Sequence, residues 1–526
     1  MPIDTPGWVR DAVFYQIFPD RFASSERVVK PGTMELWDAP PTDLGFKGGD
    51  LLGIVERLPY LQELGVTALY LTPIFASASN HRYHAYDYTH VDPLLGGDEA
   101  FRELLDACHG RGMKVVIDGV FNHSGRGFWP FHHVLETGAA SPYRGWFYFD
   151  EAALAAGRPV HAYPTADEER RMGEVHSNEP RGQRSERALG YQAWWDLPAL
   201  PKLNTNDPGM RAYLFDAIEH WTRFGVDGWR LDVPEEVEEG FWREFRQRVR
   251  AIDPESYIVA EIWREKPWWL QGEHFDALMN YPLTEALLGY VGGSHLDWSV
   301  VSTQHEFQEF VRPMDGPAFA SALEHIVTMY APEVVAVMLN LLGSHDTARF
   351  VTLCGGDRDS LRLATLVQMT LPGAPCIYYG DEVGVEGRHD PDCRRAFPWQ
   401  EDRWDTGLRD FIRCAVALRH ANPVLRHGEF RVLAADGPAM AYLRSDANDA
   451  WLVALNPGEG PASLRMDDHA LGDLAAGSVE IARWDGWPNG SEGSVERVDG
   501  GLLLSLPARG AVVAQLRRGG QPADSQ

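Results

Sequence analysis

The chain has little cysteine. Its 526 residues include five, Cys108, Cys354, Cys376, Cys393 and Cys414. The number is odd, the positions are scattered, and no CxxC occurs. A disulfide framework or a thiolate zinc site needs paired spacings, so the thiols read as buried groups in a reducing compartment. Also missing is any apolar run of the ~18 residues that a membrane-spanning helix needs. Met1 to Arg10 lack the basic-then-apolar order of an export signal, which makes the cytoplasm the expected location. Basic residues are scarce: 48 Lys and Arg stand against 76 Asp and Glu, a formal net charge of -28. Such a surface repels phosphate backbones, so nucleic acid is not an expected partner. No internal repeat and no long low-complexity segment occurs.

What is present is a large apolar core and many rings. Hydrophobic residues make up 44%, with 18 Trp, 18 Tyr and 23 Phe. Most rings must be core, but flat rings flanked by polar groups are also what a sugar site needs.

Short β-branched runs alternate with longer amphipathic segments. Strand-like runs are Val13 to Phe18, Val66 to Leu71, Lys114 to Asp118, Val226 to Leu231, Tyr257 to Ala260, Ala277 to Asn280, Val334 to Leu341 and Cys376 to Tyr379. Helical spacing marks Leu51 to Leu64, Asp98 to Cys108 with Asp98 as N-cap, Pro208 to Phe224, Phe241 to Ala251, Leu361 to Thr370 and Leu408 to His420. Eight strand–helix units in order predict a closed (β/α)8 barrel, with a doubly wound sheet as the competing arrangement. Residues 122–200 break the alternation and are too long for a connector, so they read as an inserted domain. The barrel then occupies 1–121 and 201–422. From Pro423 the texture becomes short strands between turns, which predicts an all-β sandwich over 423–517 and a disordered tail over 518–526.

Barrel enzymes place their reactive groups where strands end at one face. Strand two leads into His84, Ala85 and Tyr86; strand three into Asp118, Asn122 and His123. Strand four carries Arg230 and Asp232, strand five ends at Glu261 before Trp263, and strand seven leads into His345 and Asp346. Carboxylates gathered at one mouth repel each other, so no core needs them. They suit glycoside hydrolysis, in which one carboxylate attacks the anomeric carbon and another protonates the leaving oxygen. Arg230 and Asp232 share a strand face, so a fixed cation is expected to keep that nucleophile ionised. Glu261 must hold a proton, which requires burial or a like charge. Each residue alone has a plainer reading: a strand-end Asp caps a helix, His123 is a satisfied core imidazole, Tyr86 is core, and Asp118 is a structural partner for Arg230. The conjunction on successive strands favours catalysis.

These residues also carry a resemblance. DGVFNH (Asp118 to His123), GWRLDVPEE (Gly228 to Glu236), EIW (Glu261 to Trp263), GSHDT (Gly343 to Thr347) and IYYGDE (Ile377 to Glu382) occur in the order found in the α-amylase family of glycoside hydrolases, family 13. The resemblance implies that Asp232 is the nucleophile, Glu261 the acid/base and Asp346 the third carboxylate, which distorts the bound sugar. It implies that Arg230, His123 and His345 hold that sugar or the nucleophile, and that Tyr86 stacks on it beside His84. LPKLN (Leu200 to Asn204) and Glu236, with Trp263 on the acceptor side, are similar to the neopullulanase, cyclomaltodextrinase and maltogenic amylase group.

Three departures stand out. That group usually carries an N-terminal β domain used in dimerisation, whereas the barrel pattern here begins almost at Met1, so that route is not expected and the oligomeric state stays open. Pro234, Glu235 and Arg264 replace the usual Ala, Asn and His. The calcium loop after Asp20, Arg21 and Phe22 continues as Ala23, Ser24, Ser25, which are poor ligands. Asn122 and Asp50 match calcium positions elsewhere in the family, but no filled site is expected and no cofactor is required.

The resulting expectation is a retaining hydrolase of α-1,4 bonds, with α-1,6 bonds as a second linkage, in maltooligosaccharides, cyclodextrins or pullulan, with transglycosylation. An α-glucosidase or a trehalose-forming transferase on the same barrel is the alternative, and a catalytically silent scaffold is the reading from another class.

Overall fold

The computed structural model describes residues 3–175, 183–472, 479–487 and 493–518. Eight parallel strands form its centre: β1 (Phe14–Ile17), β2 (Ala68–Leu71), β3 (Lys114–Gly119), β4 (Gly228–Leu231), β5 (Tyr257–Ala260), β6 (Ala277–Leu278), β7 (Leu339–Leu341) and β8 (Ala374–Tyr378). Their spatial order is β6-β5-β4-β3-β2-β1-β8-β7. A parallel bridge between Met279 and Leu339 joins the two ends, so the sheet closes. This is the expected barrel rather than a doubly wound sheet. Closure buries the strands on both faces, which explains their continuous apolar runs.

The helices follow local rules. Leu51–Leu64 starts where Asp50 accepts the Gly53 N–H and stops at Gly65, whose φ is 89°. Pro208–Phe224 starts with Asp207 accepting the Gly209 and Met210 N–H groups and a proline that needs no donor.

The structure corrects the sequence reading in several places. The N-cap of Gly97–His109 is Gly96, while Asp98 turns back to accept the Val91 N–H at 2.8 Å. Val334 lies in a helical turn, Pro332–Val335, and β7 begins at Leu339. Ala85 and Tyr86 belong to a side hairpin of Phe75–Ser77 and Ala85–Val91, not to the end of β2. The final strand, Gly510–Arg518, includes the first residue of the expected disordered tail; residues 519–526 lie outside the described residues.

Between β3 and Pro208 the described residues form short helices, among them Trp129–Thr137, tied by bridges such as His123 to Lys202 and Phe147 to Leu203. The C-terminal part is a sandwich of a five-stranded and a three-stranded antiparallel sheet. Along Ala439–Ser445, Met440 and Tyr442 join the barrel core while Ala441 and Leu443 join a second core under the small sheet. The period of two therefore serves two apolar faces, and the large sheet is sandwiched.

Candidate active site

Arg230 is the hub. It sits on β4 at the register position opposite Asp118 of β3 and is fully buried. Its Nη1 donates to both oxygens of Asp118 and to Oδ1 of Asp232, each at 2.9 Å. Its Nη2 lies 2.9 Å from Oε2 of Glu261. One guanidinium thus meets three carboxylates that three neighbouring strands deliver. Asp118 has further donors in Tyr70 (3.0 Å) and Tyr83 (2.8 Å), so it is a buried anchor for the cation.

Val233 was not singled out by the sequence. It follows Asp232 with φ 34° and ψ 54°, a left-handed conformation that a β-branched residue resists. The distortion carries a consequence: the Val233 N–H donates to Oε2 of Glu261 at 3.2 Å. Trp263 donates its indole N–H to Oε1 of the same carboxylate at 3.3 Å and stacks on Tyr281 with centroids 3.5 Å apart. Glu261 is therefore held at both oxygens.

His345 and Asp346 close the other side. The His345 ring meets Gln16 of β1 at 3.0 Å and the Tyr83 hydroxyl at 2.6 Å, and its Nε2 is 3.2 Å from Oδ2 of Asp346. Arg394, from the segment after β8, donates to the His345 carbonyl at 2.8 Å and pairs with Asp346 at 3.4 Å. Neither Gln16 nor Arg394 carries a local signal; both belong to elements far away in sequence.

The ring that meets the carboxylates is Tyr83, not Tyr86. Tyr83 stacks on His345 with centroids 5.2 Å apart and planes 6° from parallel, and its hydroxyl reaches Asp118. Three tyrosines stand within six residues, and the turn before the hairpin selects the first. Tyr86 and His84 line a neighbouring cavity. His123 is buried under Trp194, centroids 4.8 Å apart, with Asn122 Nδ2 at 3.2 Å from its Nδ1. Glu236 is half-exposed and pairs with Lys202 of LPKLN at 3.0 Å.

Burial raises the carboxyls of Asp232, Glu261 and Asp346, against the pull of Arg230. Asp118 is pushed up to about 6 by burial, opposed by Arg230. The cation expected to keep Asp232 ionised is thus opposed by burial. Desolvation outweighs the cation, and like charges on Glu261, Asp118 and Asp346 add to it. Burial pushes His123 down to about 3, so its imidazole is neutral.

The residues do not fit calcium. Asp50 accepts from the Ser25 and Gly53 backbones, and the Lys30 ammonium lies 2.9 Å from its Oδ2 and 2.8 Å from the Leu94 carbonyl. A lysine already neutralises this corner, and calcium wants about 6–8 oxygens. Asn122 offers one buried oxygen without a partner among the described residues. Among the described residues no group of three or more His, Cys, Asp or Glu could hold a metal ion.

Residues 16–422 match the alpha-amylase catalytic domain. A cyclomaltodextrinase from Geobacillus thermopakistaniensis is 39% identical over 89% of this chain and 72% of its own length. Neopullulanase 2 of Thermoactinomyces vulgaris is 40% identical, over 83% of this chain and 67% of its own. The crystal structure of a debranching enzyme from Nostoc punctiforme superposes with a TM-score of 0.83 at 41% identity, covering 98% of this chain and 100% of that one.

Proposed function

Since the chain belongs to the alpha-amylase family, we propose that it cleaves α-glucosidic bonds of maltooligosaccharides, cyclodextrins or pullulan with retention of configuration. The observation that carries this reading is the placement of Asp232 Oδ1 and Glu261 Oε2 on one guanidinium, each 2.9 Å from Arg230. Retention requires carboxyl groups only about 5–5.5 Å apart, and carboxylates that share one cation are close neighbours.

In the first step Glu261 gives its proton to the glycosidic oxygen. The bond from that oxygen to the anomeric carbon breaks as Asp232 bonds to the carbon from the other face. In the second step water gives a proton to Glu261 and its oxygen to the anomeric carbon, and Asp232 leaves as a carboxylate. A sugar hydroxyl in place of water makes the same step a transglycosylation. Arg230 balances the charge that moves between the two groups. Asp346, half-buried and aligned by Arg394 and His345, faces the sugar hydroxyls as an acceptor. Tyr83 offers its ring to the same sugar, the role that the family resemblance had put on Tyr86.

The acceptor side is where the chain departs from its relatives' pattern. Arg264 donates to Glu285 at 2.6 Å and to the Trp263 carbonyl at 3.1 Å, and its guanidinium lies 3.3 Å over the Phe310 ring. It thereby fixes the loop that carries Trp263. Glu235 pairs with Lys266 at 3.1 Å across the same loop.

Parallel digests of γ-cyclodextrin, pullulan, soluble starch and maltotriose test the proposal. Cyclodextrin and pullulan should disappear faster than starch. Asp232→Asn should lower turnover by at least about 10⁴-fold with an unchanged melting curve. Starch preference would overturn the substrate class, and full activity in the variant would overturn the nucleophile.

A further inference from the structure

Arg82, the residue before Tyr83, combines two features that seldom meet. Its φ is 59°, a left-handed conformation that is uncommon for a residue with a long side chain. Its side chain is also 1% exposed, and a buried guanidinium needs counter-charge close by.

The turn around Arg82 is tied to distant parts of the chain. The Arg82 N–H donates to the Ser79 carbonyl at 3.2 Å, and Arg82 Nη1 reaches back to the Asn80 carbonyl at 2.5 Å. Asn80 Nδ2 donates to the carbonyls of Asp43 and Gly45, each at 2.9 Å, which pins the turn to the segment after β1. The guanidinium lies between two acids. Its Nη1 is 3.8 Å from Oδ1 of Asp20, and its Nε is 3.5 Å from Oδ2 of Asp92. The Phe46 ring lies 5.4 Å from it. Asp20 belongs to the helical turn Pro19–Phe22 that follows β1, and Asp92 follows the hairpin strand Ala85–Val91. One cation thus ties the turn to the barrel on one side and to the far end of the hairpin on the other. Little water screens charges in so buried a place, so they attract each other at these distances.

Tyr83 is what this turn presents. Its hydroxyl bonds to Asp118 and to the His345 ring, and its own ring stacks on His345. A return of Arg82 to the ordinary helical region would change φ by about 120° and turn Tyr83 away from both partners. We propose that Arg82 is a positioning residue: its guanidinium, set between Asp20 and Asp92, holds the left-handed backbone that aims Tyr83 at Asp118 and His345. The proposal rests on the function proposed above and assigns part of the rate to a buried residue outside the carboxylate cluster.

The test is a double-mutant cycle on the fastest substrate of the digests above. Arg82→Met should lower kcat/KM about 100-fold, the scale of a displaced group at a reacting centre. Glycine adopts a positive φ freely, but without the guanidinium nothing holds it there, so Arg82→Gly should lose as much. Arg82→Lys, which keeps the charge, should lose less than Arg82→Met. In a Tyr83→Ala background, itself impaired, Arg82→Met should cost less than about threefold further, because the ring that Arg82 aims is gone. Equal losses in both backgrounds would show a general structural role and overturn the proposal. So would an unimpaired Arg82→Gly, a lysine variant no better than the methionine variant, or a Tyr83→Ala variant as active as the unaltered chain. Asp20 keeps Arg21 Nε at 2.7 Å, and Asp92 keeps the N–H groups of Ser77 and Leu94, so folding should survive the loss of Arg82. Melting curves check this, and Arg82→Gln carries the cycle if Arg82→Met does not fold. Absence of turnover of every α-glucan by the unaltered chain would instead overturn the proposed function, and the positioning role with it.

Discussion

Proton placement governs the residue scale. In the proposed mechanism Asp232 must be ionised to attack and Glu261 protonated to assist departure. Burial raises both groups, with Arg230 opposing and Asp346 adding to the rise of Glu261. Raising the nucleophile moves the acid limb of the activity profile up, because protonation then sets in at higher pH. Raising the acid moves the alkaline limb up, because the proton is kept longer. The whole bell in kcat/KM should therefore lie above the ordinary carboxyl range of about 3.9–4.3. An alkaline limb inside that range would refute the burial argument. The same scale shows where sequence reasoning reached its limit. Asp118, Arg230, Asp232, Glu261 and Asp346 were legible because their spacing on successive strands is itself the signal. Tyr83 was not separable from Tyr86, since a pattern of tyrosines three apart does not say which one a turn aims inward. Val233 reads as an ordinary strand residue, and its positive φ is visible only in the folded chain.

At the scale of elements, the corner formed by the segment after Phe22 and the start of Leu51–Leu64 is set by Asp50. This residue caps the helix, accepts the Ser25 N–H and holds the Lys30 ammonium. The Asp50 side chain is fully buried and that of Lys30 15% exposed, so the pair is largely shielded from water. Chelation with EDTA should leave the thermal midpoint unchanged, and added calcium should not raise it. Lys30→Met should cost about 3 kcal/mol, because it leaves a buried carboxylate without its cation. A midpoint that falls with EDTA and returns with calcium would show that a divalent ion holds this corner after all. Poor ligands after Phe22 were visible in the sequence; the lysine that takes over, seven residues after Ala23, was not, because no spacing rule links an exposed-looking loop lysine to a helix cap.

For the whole molecule, the decisive contact is between barrel and sandwich. Tyr442, Val453 and Val513 belong to the barrel core, and the Tyr290 hydroxyl donates to the Pro438 carbonyl at 2.9 Å. The buried Arg444 donates to the carbonyls of Thr370, Leu425 and Gly428. Arg509 pairs with Asp357 across the same boundary. A chain ended at residue 428 would expose that apolar face and take the Arg444 guanidinium away from the carbonyls of Thr370, Leu425 and Gly428. It should be recovered mainly in the insoluble fraction, and the full chain should unfold in a single calorimetric transition. A soluble, active truncated barrel would show the sandwich to be dispensable. Among the described residues no helix is long and apolar enough to cross a membrane, in keeping with the absence of long apolar runs.

The sequence by itself pointed to the order of strands and helices, to a barrel ahead of a doubly wound sheet, to the all-β C-terminal part and to the carboxylates that gather at the barrel mouth. These follow from periodicity and from residues a few positions apart, which is information that a linear chain carries. The tertiary structure alone decided which tyrosine faces the acids, that Gln16 and Arg394 support His345, that a lysine occupies the Asp50 corner, and that the Tyr86 cavity adjoins the site. Each of those depends on groups brought together from distant parts of the chain, and their free energies come from burial and exact neighbours that no local pattern encodes.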